Sequence, residues 1–480
     1  MKPLGGLFCD LYELTMVAGY LKSGKNTQHA VFEYFFRRLP EHSGFAVFAG
    51  LDDLLDDLRD LRFSDTDIGY LESLGLFDTD TLHYFSDMRF QGDVWSAPEG
   101  MPVFPYEPVV AVRASLPQAQ LIETLLLCRL NYQTLVATKA SRVRIAASND
   151  QVMEFGLRRA QGPDGGMSGT RAAIIGGCDS TSNTQAGKCF SVPVVGTQAH
   201  SWIMSFPSEL DSFRAYANVF PEHLILLVDT YDTLNSGVPN AIRVFKELRE
   251  RGWRGKPGIR LDSGDPAVLS IKAYQMLADA GFPDASIVVS SDLDEYVISD
   301  AKARGSKANV WGVGTRLMTG GFDPALTGVY KLAAIEDQGT WLSKFKISDS
   351  PEKTSDPGWL IPVRFTGENG FITCDVLFDA HDQSWKSGSV VAYDRLTLQP
   401  LCELPHTYHR SPTLAQVMQD GKRISQKAEV LDIRGFALEQ ITRIRPDMRD
   451  LHEPAAYTVA LSAEVAEKKR SAINQYQRLP

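Results

Sequence analysis

The middle of the chain alternates short apolar runs with longer amphipathic segments. Each apolar run lies in a window of six to eight residues, which is typical of strands buried on both faces of a parallel sheet. Seven windows show this pattern: 152–157, 172–177, 192–197, 223–230, 258–265, 286–292 and 309–315. The regular alternation of strand and helix predicts an α/β fold, an irregular or incomplete parallel α/β barrel rather than an open sheet.

Two of the intervening segments carry helix boundary signals. The segment 239–252 spaces its apolar residues three apart and stops at Gly252, a residue type that commonly follows the last helical turn. The segment 265–281 begins with Asp265, a candidate N-cap, and with Pro266 at the first helical position. Both segments are therefore predicted to be helices that connect neighbouring strands.

The sequence on either side of the barrel predicts a smaller α+β domain. In residues 1–138, the spacing of apolar residues predicts helices over 63–75 and 116–134. The stretch between them is rich in Pro and Val and predicts short strands. The barrel is expected to occupy residues 139–320. Residues 321–480 begin with a β-hairpin pattern and are expected to return partly to the smaller domain.

Composition limits the partners and the location. The 480 residues carry a net charge of −10, so a nucleic-acid binder, which needs a basic footprint, is not expected. The first residues lack the apolar core of a secretory signal, and no apolar run reaches the roughly 20 residues of a membrane helix. Six scattered cysteines without a CxxC pair are typical of free thiols. We therefore expect a cytoplasmic protein with no membrane partner.

Polar residues follow every predicted strand, and parallel strands would bring them to one rim of the barrel. The candidate site residues at these positions are Arg158, Arg159, Asp179, Ser180, Thr181, Ser182, Thr197, His200, Asp229, Asp232, Arg260, Asp262, Asp265, Ser291, Asp292, Gly312, Gly314, Thr315 and Arg316. Arginine side chains and the N–H groups of turns bind phosphate, whereas carboxylates accept from sugar hydroxyls and hold Mg²⁺. The mixture predicts a ligand that carries both a ribose and several phosphates.

Each candidate also has a plainer interpretation. Asp265 fits an N-cap equally well, a single histidine such as His200 is more often structural, and Arg158–Arg159 alone would be a surface pair. Neither a GxxxxGK[ST] loop nor a complete GxGxxG fingerprint is present. The segment LILLVDTYDTLNSG is faintly similar to the diphosphate loop of type I phosphoribosyltransferases. The type I fold does not need seven strand–helix units, so we rank it second to the α/β barrel.

Eight motifs occur in order along the chain: DLYELTM, FEYFFRRLPEHSGFAVFAGL, FGLRRAQGPDG, GGCDSTSN, GTQAHSW, VDTYDTLNSG, RLDSGD and GVGTRL. Together they resemble the nicotinate phosphoribosyltransferase family. The resemblance runs from about residue 8 to beyond residue 330, and the C-terminal third is more divergent.

The resemblance implies an activity and a fold. Members of the family join nicotinate to phosphoribosyl diphosphate in NAD salvage, with coupled ATP hydrolysis, and require Mg²⁺. The implied fold is that of a type II phosphoribosyltransferase, and the implied assembly is a homodimer with shared active sites. A nicotinamide-specific enzyme and a non-catalytic metabolite-binding homologue remain open as alternatives.

The resemblance also implies roles for particular residues. His200 corresponds to the histidine that ATP phosphorylates, and Asp229 is expected to orient it. Tyr12 and Phe155 correspond to the two aromatic residues that enclose the pyridine ring, Tyr12 coming from the partner subunit. The expected catalytic residues are thus His200, Asp229 and Asp262, with no metal ligand assigned. The other expected substrate-binding residues are Arg158, Ser180, Thr197, Arg260, Asp265, Ser291, Asp292, Gly314 and Thr315.

Overall fold

A computed structural model describes residues 4–40, 42–348, 350 and 353–477. Two compact units are present. Residues 139–324 and 429–434 form one of them, called the α/β unit below. The rest of the described chain forms the other, called the terminal unit because it contains both ends of the chain.

The α/β unit is built on six parallel strands. In spatial order they are Ser180–Thr181, Gln151–Glu154, Val310–Val313, Ser286–Ser290, Gly258–Leu261 and Ile225–Leu227. A single parallel bridge between Thr181 and Val194 extends the first edge. Within the described residues no ladder joins Val194 to the opposite edge strand, which agrees with the predicted irregular or incomplete barrel.

Five of the seven predicted strands are confirmed, and two predictions are wrong. The run 172–177 is the end of the helix Gly162–Ile175 and the turn that follows it. That helix is buried along one side, and a short apolar run does not distinguish a buried helix from a buried strand. The run 192–197 contributes only the bridge at Val194. The two-residue strand Ser180–Thr181 had no apolar signal of its own.

Helices connect these strands, and their predicted ends are confirmed. The Asp265 carboxylate accepts a hydrogen bond from the Val268 N–H at 3.0 Å, as an N-cap does. Gly252 and Gly281 follow helix ends with φ of 88° and 92°. The helices of this unit are Gly162–Ile175, Thr184–Phe190, His200–Met204, Glu209–Val219, Val238–Glu250, Pro266–Asp279, Glu295–Ala303 and Thr315–Met318. The helix Glu123–Ala147 begins in the terminal unit and ends in the α/β unit.

The terminal unit contains two large sheets and a two-stranded one. The seven-stranded sheet has the order Thr340–Ser343, Gly328–Asp337, His29–Phe36, Val110–Ser115, Asp93–Ser96, Ala415–Gln419 and Lys422–Arg423. The six-stranded sheet has the order Pro400–Leu404, Val390–Tyr393, Thr458–Leu461, Ile372–Asp379, Leu360–Thr366 and His409–Pro412. The small sheet pairs Ala46–Val47 with Pro102–Val103.

The helices of the terminal unit agree with the predicted segments 63–75 and 116–134, and the predicted hairpin is present. They are Leu11–Lys22, Leu51–Asp60, Asp65–Ser73, Thr79–Asp87, Leu116–Leu121 and Ala463–Gln477, with Val430–Thr442 beginning in the α/β unit. No helix in the described ranges is long and apolar enough to cross a membrane. All six cysteines are free thiols.

One buried carboxyl in the terminal unit links stability to pH. Glu33 is 5% exposed and accepts a hydrogen bond from the Leu360 N–H at 2.6 Å. Burial raises the pKa of Glu33 to about 8, and the negative charges of Asp356 and Asp379 add to the shift. Glu33 is therefore protonated in the folded chain over a pH range in which it is ionised in the unfolded chain.

We expect the stability contributed by Glu33 to be lost as pH rises toward its folded pKa. Because the folded state holds the extra proton, the free energy of unfolding should fall by on the order of 3 kcal/mol between pH 5 and pH 8. Glu33→Gln should remove this part of the decline in the free energy of unfolding, measured by denaturant unfolding at each pH. Glu439→Gln, at an exposed ion pair with Arg443, is the control. Equal pH slopes for the native chain and Glu33→Gln would contradict the prediction.

Candidate active site

The carboxyl ends of the parallel strands surround a polar cavity of about 140 Å³ in the α/β unit. Side chains alternate between the two faces of a strand, so Val288 and Ser290 share the inner face, as do Met153 and Phe155. The cavity is lined by Phe155, Arg158, Arg159, Arg260, Asp262, Ser290, Ser291, Asp292, Gly312, Gly314 and Thr315. Ten of these eleven residues, all but Ser290, are thus predicted site residues, and strands distant in the sequence supply them.

Arg260 is the central side chain of this cavity. Its guanidinium donates hydrogen bonds to Ser290 Oγ at 2.8 Å, to Thr197 Oγ1 at 2.9 Å and to Asp262 Oδ1 at 2.8 Å. The same group lies 5.6 Å from the centre of the Phe155 ring. Arg260 is only 12% exposed, so its charge acts in a site that excludes much of the solvent.

Asp262 follows the strand that carries Arg260 and is held as a carboxylate. Burial by itself would raise the pKa of Asp262, but hydrogen bonds from Ser290 and Arg260 and the nearby His200 outweigh it and lower that pKa. Its Oδ2 atom faces His200 Nε2 at 3.6 Å. A negative charge is therefore fixed between the arginine and the histidine.

His200 begins a short helix, and both of its ring nitrogens have neighbours. Nδ1 lies 3.1 Å from Thr230 Oγ1, and Nε2 faces Asp262. The hydrogen-bond partner of Nδ1 is thus Thr230, which corrects the expected contact with Asp229. The imidazole is 41% exposed, which leaves room for a reactant.

Asp229 instead supports the loop that carries Asp262. Its Oδ2 atom accepts hydrogen bonds from the Asp262 N–H at 2.8 Å and from the Ser263 hydroxyl at 2.6 Å. Its Oδ1 atom is buried and has no hydrogen-bond partner among the described residues. A buried carboxylate oxygen without a donor is suited to a cation, and Mg²⁺ usually takes one or two carboxylates together with substrate phosphates. No cluster of three or more metal-binding side chains occurs in the described ranges.

The Phe155 ring lies against a neighbouring strand because that strand has a glycine at the contact. A Cβ atom at Gly312 would stand 2.7 Å from Phe155 Cδ2. Any larger side chain would push the ring aside. Phe155 is therefore held in a fixed position beside Arg260, as a flat apolar wall of the cavity.

The rim of the cavity is suited to phosphate. Arg158 and Arg159 are exposed on a turn, and in the described part of the chain neither has a carboxylate partner. Ser291 and Asp292 follow their strand with φ of 82° and 43°, a strained backbone of the kind concentrated at ligand-binding turns. Gly314 and Thr315 complete the rim at the neighbouring strand.

A buried network holds the strand end beneath Phe155 in place. Glu154 accepts hydrogen bonds from the Thr181 hydroxyl at 2.5 Å, from the Thr170 hydroxyl at 3.1 Å and from the Gly156 N–H. Burial raises the pKa of Glu154, although these hydrogen bonds partly offset the shift. The network fixes the backbone that leads into Phe155 and Arg158.

Several predicted residues do not line the cavity. Ser180 is buried within its short strand, and Asp265 uses its two oxygens for the helix cap and for Arg304 at 2.7 Å. Asp179 precedes its strand and accepts from Arg144 and Arg434. Thr197, His200 and Asp229 contact the lining residues Arg260 and Asp262 without lining the cavity themselves. Tyr12 lies on the first helix of the terminal unit and is 44% exposed.

Two residues of the site were not predicted from the sequence. Thr230 directly follows Asp229, and Ser290 is the last residue of its strand. Strand alternation would have identified Ser290, because it lies two residues after the inward-facing Val288. Nothing in the sequence distinguishes Thr230 from the other hydroxyl residues of its loop.

The fold and the site together define the class: a protein with an irregular or incomplete parallel α/β barrel and a polar, arginine-lined pocket at the carboxyl ends of its strands. Residues 7–131 match the nicotinate phosphoribosyltransferase (NAPRTase) N-terminal domain, and residues 362–469 match the C-terminal domain of the same family. The chain belongs to the nicotinate phosphoribosyltransferase family.

Similar proteins extend over nearly the whole chain. A nicotinate phosphoribosyltransferase of Bacillus subtilis (strain 168) is 39% identical over 98% of this chain and 95% of its own length. The Homo sapiens protein of the same name is 34% identical over 95% of this chain and 94% of its own length. The crystal structure of human nicotinic acid phosphoribosyltransferase superposes with a TM-score of 0.84 and 31% identity, covering 97% of this chain and 99% of the other.

Proposed function

We propose that this protein is a nicotinate phosphoribosyltransferase of NAD salvage. The pyridine nitrogen of nicotinate attacks C1′ of 5-phosphoribosyl 1-diphosphate, the bond from C1′ to the diphosphate oxygen breaks, and the products are nicotinate mononucleotide and pyrophosphate. The observation that carries this proposal is the position of Arg260, which contacts Thr197, Ser290 and Asp262 beside the Phe155 ring.

The Phe155 ring and the Arg260 guanidinium are suited to binding an aromatic carboxylate. The Phe155 ring can stack on the pyridine, and a guanidinium beside it supplies the positive charge that a carboxylate needs. Tyr12 of the partner subunit would cover the other face of the pyridine in a homodimer. In support of this, Tyr12 is exposed on its helix together with Leu11 and Met16, an apolar surface suited to a second copy.

The Asp262 carboxylate is suited to the ribose, and Arg158 and Arg159 are suited to its phosphates. As the bond at C1′ breaks, positive charge develops on the ribose, and the fixed carboxylate of Asp262 would stabilise it. Arg158 and Arg159 would hold phosphate oxygens, and the strained turn at Ser291 and Asp292 would contact the phosphorylated ribose.

His200 is placed to accept a phosphoryl group. With Nδ1 donating to Thr230, Nε2, which faces Asp262 at 3.6 Å, carries the lone pair that would attack the γ-phosphorus of ATP, and ADP leaves as the bond to its oxygen breaks. Hydrolysis of the phosphohistidine to inorganic phosphate would then couple ATP consumption to the reaction. Asp229 takes no direct part in this step and positions the loop of Asp262 instead.

The residues fit a magnesium ion held together with substrate. Asp229 Oδ1 would supply the protein ligand, together with phosphate oxygens of the substrate. When bound, Mg²⁺ shields the negative charge of the departing pyrophosphate.

The direct test is formation of nicotinate mononucleotide. Purified protein with nicotinate, phosphoribosyl diphosphate, Mg²⁺ and ATP should release the mononucleotide and pyrophosphate, measured by chromatography. Nicotinamide in place of nicotinate should give little product, because its uncharged amide would not balance the guanidinium of Arg260. A preference for nicotinamide would indicate the amide-specific alternative, and the absence of product from folded protein would indicate a binding homologue.

A further inference from the structure

A second polar cavity, of about 470 Å³, lies on the six-stranded sheet of the terminal unit. It is formed by the turn Ser384–Lys386, the loop before strand His409–Pro412, and the start of that strand. The aromatic and basic side chains that line it are those of Trp385, Lys386, His406, Tyr408, His409 and Arg410. The cavity is built only from residues of the terminal unit, so the site already described shares none of them.

The charge of this cavity is opposite to that of the chain. Two permanent cations and two histidines line it, and no Asp or Glu does, although the chain as a whole carries −10. Across the residues that the structure describes, none of the four forms an ion pair with a carboxylate. A concave surface lined by one sign of charge attracts ligands of the other sign.

Arg410 supplies a fixed charge beneath the cavity. Its guanidinium donates to the carbonyl oxygens of Trp385 at 2.7 Å, Gly388 at 2.5 Å and Pro405 at 3.2 Å, and it lies 5.4 Å from the centre of the Phe365 ring. Its Nε atom is buried and has no hydrogen-bond partner in the described chain. Carbonyl dipoles hold the arginine in place without neutralising it, so the positive charge is preorganised.

Exposed donors lie at the rim above this charge. Lys386, His406 and His409 are exposed, and the half-buried Tyr408 adds a hydroxyl. Lys386 Nζ lies 5.4 Å from the centre of the Trp385 ring, a contact that leaves its ammonium hydrogens available. Several donors spread around one cavity are suited to an anion with several charged oxygens rather than to a single carboxylate.

We propose that this cavity binds a di- or triphosphate anion, either free or as the polyphosphate part of a nucleotide. The cavity volume lies within the roughly 300–1,000 Å³ of small-molecule sites. Trp385 and Tyr408 offer aromatic rings to a base where the anion belongs to a nucleotide. The proposal concerns binding and does not depend on the reaction proposed for the α/β unit.

The test is a calorimetric titration of the full chain with inorganic tripolyphosphate. Because Arg158 and Arg159 are expected to bind phosphate too, the titration uses an Arg158→Gln/Arg159→Gln background. One tripolyphosphate should still bind per chain. Adding Lys386→Gln and His409→Gln should weaken this binding about tenfold, because the ammonium charge of Lys386 and the ring N–H of His409 are replaced by uncharged amides. Arg410 is left unchanged because it holds three backbone carbonyls.

Controls separate this cavity from general surface charge and from misfolding. Lys422→Gln removes an exposed lysine elsewhere in the terminal unit and should leave the dissociation constant unchanged. Thermal unfolding of the Lys386→Gln/His409→Gln protein should match that of its background, since both side chains are exposed. Absence of binding by the background protein, equal binding with and without the two substitutions, or equal weakening by Lys422→Gln would overturn the proposal.

A comparison of ligands identifies the source of the anion. If ATP binds about tenfold more tightly than tripolyphosphate and Trp385→Leu removes that advantage, the base contributes and the ligand is a nucleotide. If the two ligands bind equally in both proteins, the cavity recognises the polyphosphate alone. Both results are consistent with an anion site and differ only in what carries the anion.

Discussion

Replacing Asp262 with asparagine should lower kcat for nicotinate mononucleotide formation by about a hundredfold to a thousandfold. The carboxylate accepts from Arg260 and Ser290, so it is already oriented before the ribose becomes positively charged. An amide has no net charge to stabilise that ribose, and its NH₂ end would face the donors of Arg260. Because the effect belongs to the transition state, KM for phosphoribosyl diphosphate should change much less than kcat, as measured by steady-state kinetics.

A matched substitution tests whether the effect is local. Asp284→Asn changes an exposed carboxylate in the loop before strand Ser286–Ser290, at the other end of the sheet from the site, and should leave kcat unchanged. A kcat for Asp262→Asn within about threefold of the native value would remove Asp262 from the reaction.

Substituting His200 with alanine should abolish the transfer of phosphate from ATP to the protein. With γ-labelled ATP, the native chain should carry acid-labile phosphate, and His200→Ala should carry only background label. In the proposed mechanism Nε2 is the nucleophile, and the alanine variant has no replacement for it. The rate of product formation in the presence of ATP should fall to the rate without ATP.

Two further variants sharpen this experiment. Thr230→Val removes the hydroxyl at 3.1 Å from Nδ1 and should slow labelling without abolishing it, because the imidazole remains but is less well oriented. His223→Ala, at an exposed histidine of the same unit, should label as the native chain does. Undiminished label on His200→Ala would place the phosphate on another residue.

The sequence pattern located most of the strands that carry the site, and its errors have one cause. A run such as 286–292 was correctly predicted as a strand because a buried parallel strand is apolar on both faces. The run 172–177 has the same composition but ends a helix that is itself buried. An apolar composition indicates that a segment is buried. It distinguishes a helix from a strand only when the apolar run is long enough to show a helical or a strand periodicity.

The site residues show the same limit at a finer scale. The strand-end pattern placed Arg158, Arg260 and Asp262 near one another, and the structure joins them in one cavity. Asp229 and Asp265 have the same pattern, yet one supports a loop and the other caps a helix. A carboxylate at a strand end has several possible donors, and the backbone geometry decides which of them it meets.

By itself, the sequence determined the α/β class, five of the buried strands, the helix ends marked by Asp265 and Gly281, and the family, because these depend on local pattern and on the order of motifs. Only the tertiary structure decided which side chains meet. It paired His200 with Thr230, placed Ser290 beside Arg260, and left Asp229 Oδ1 without a donor. Hydrogen bonds over such separations depend on ångström distances between strands, and no spacing along the chain encodes those distances.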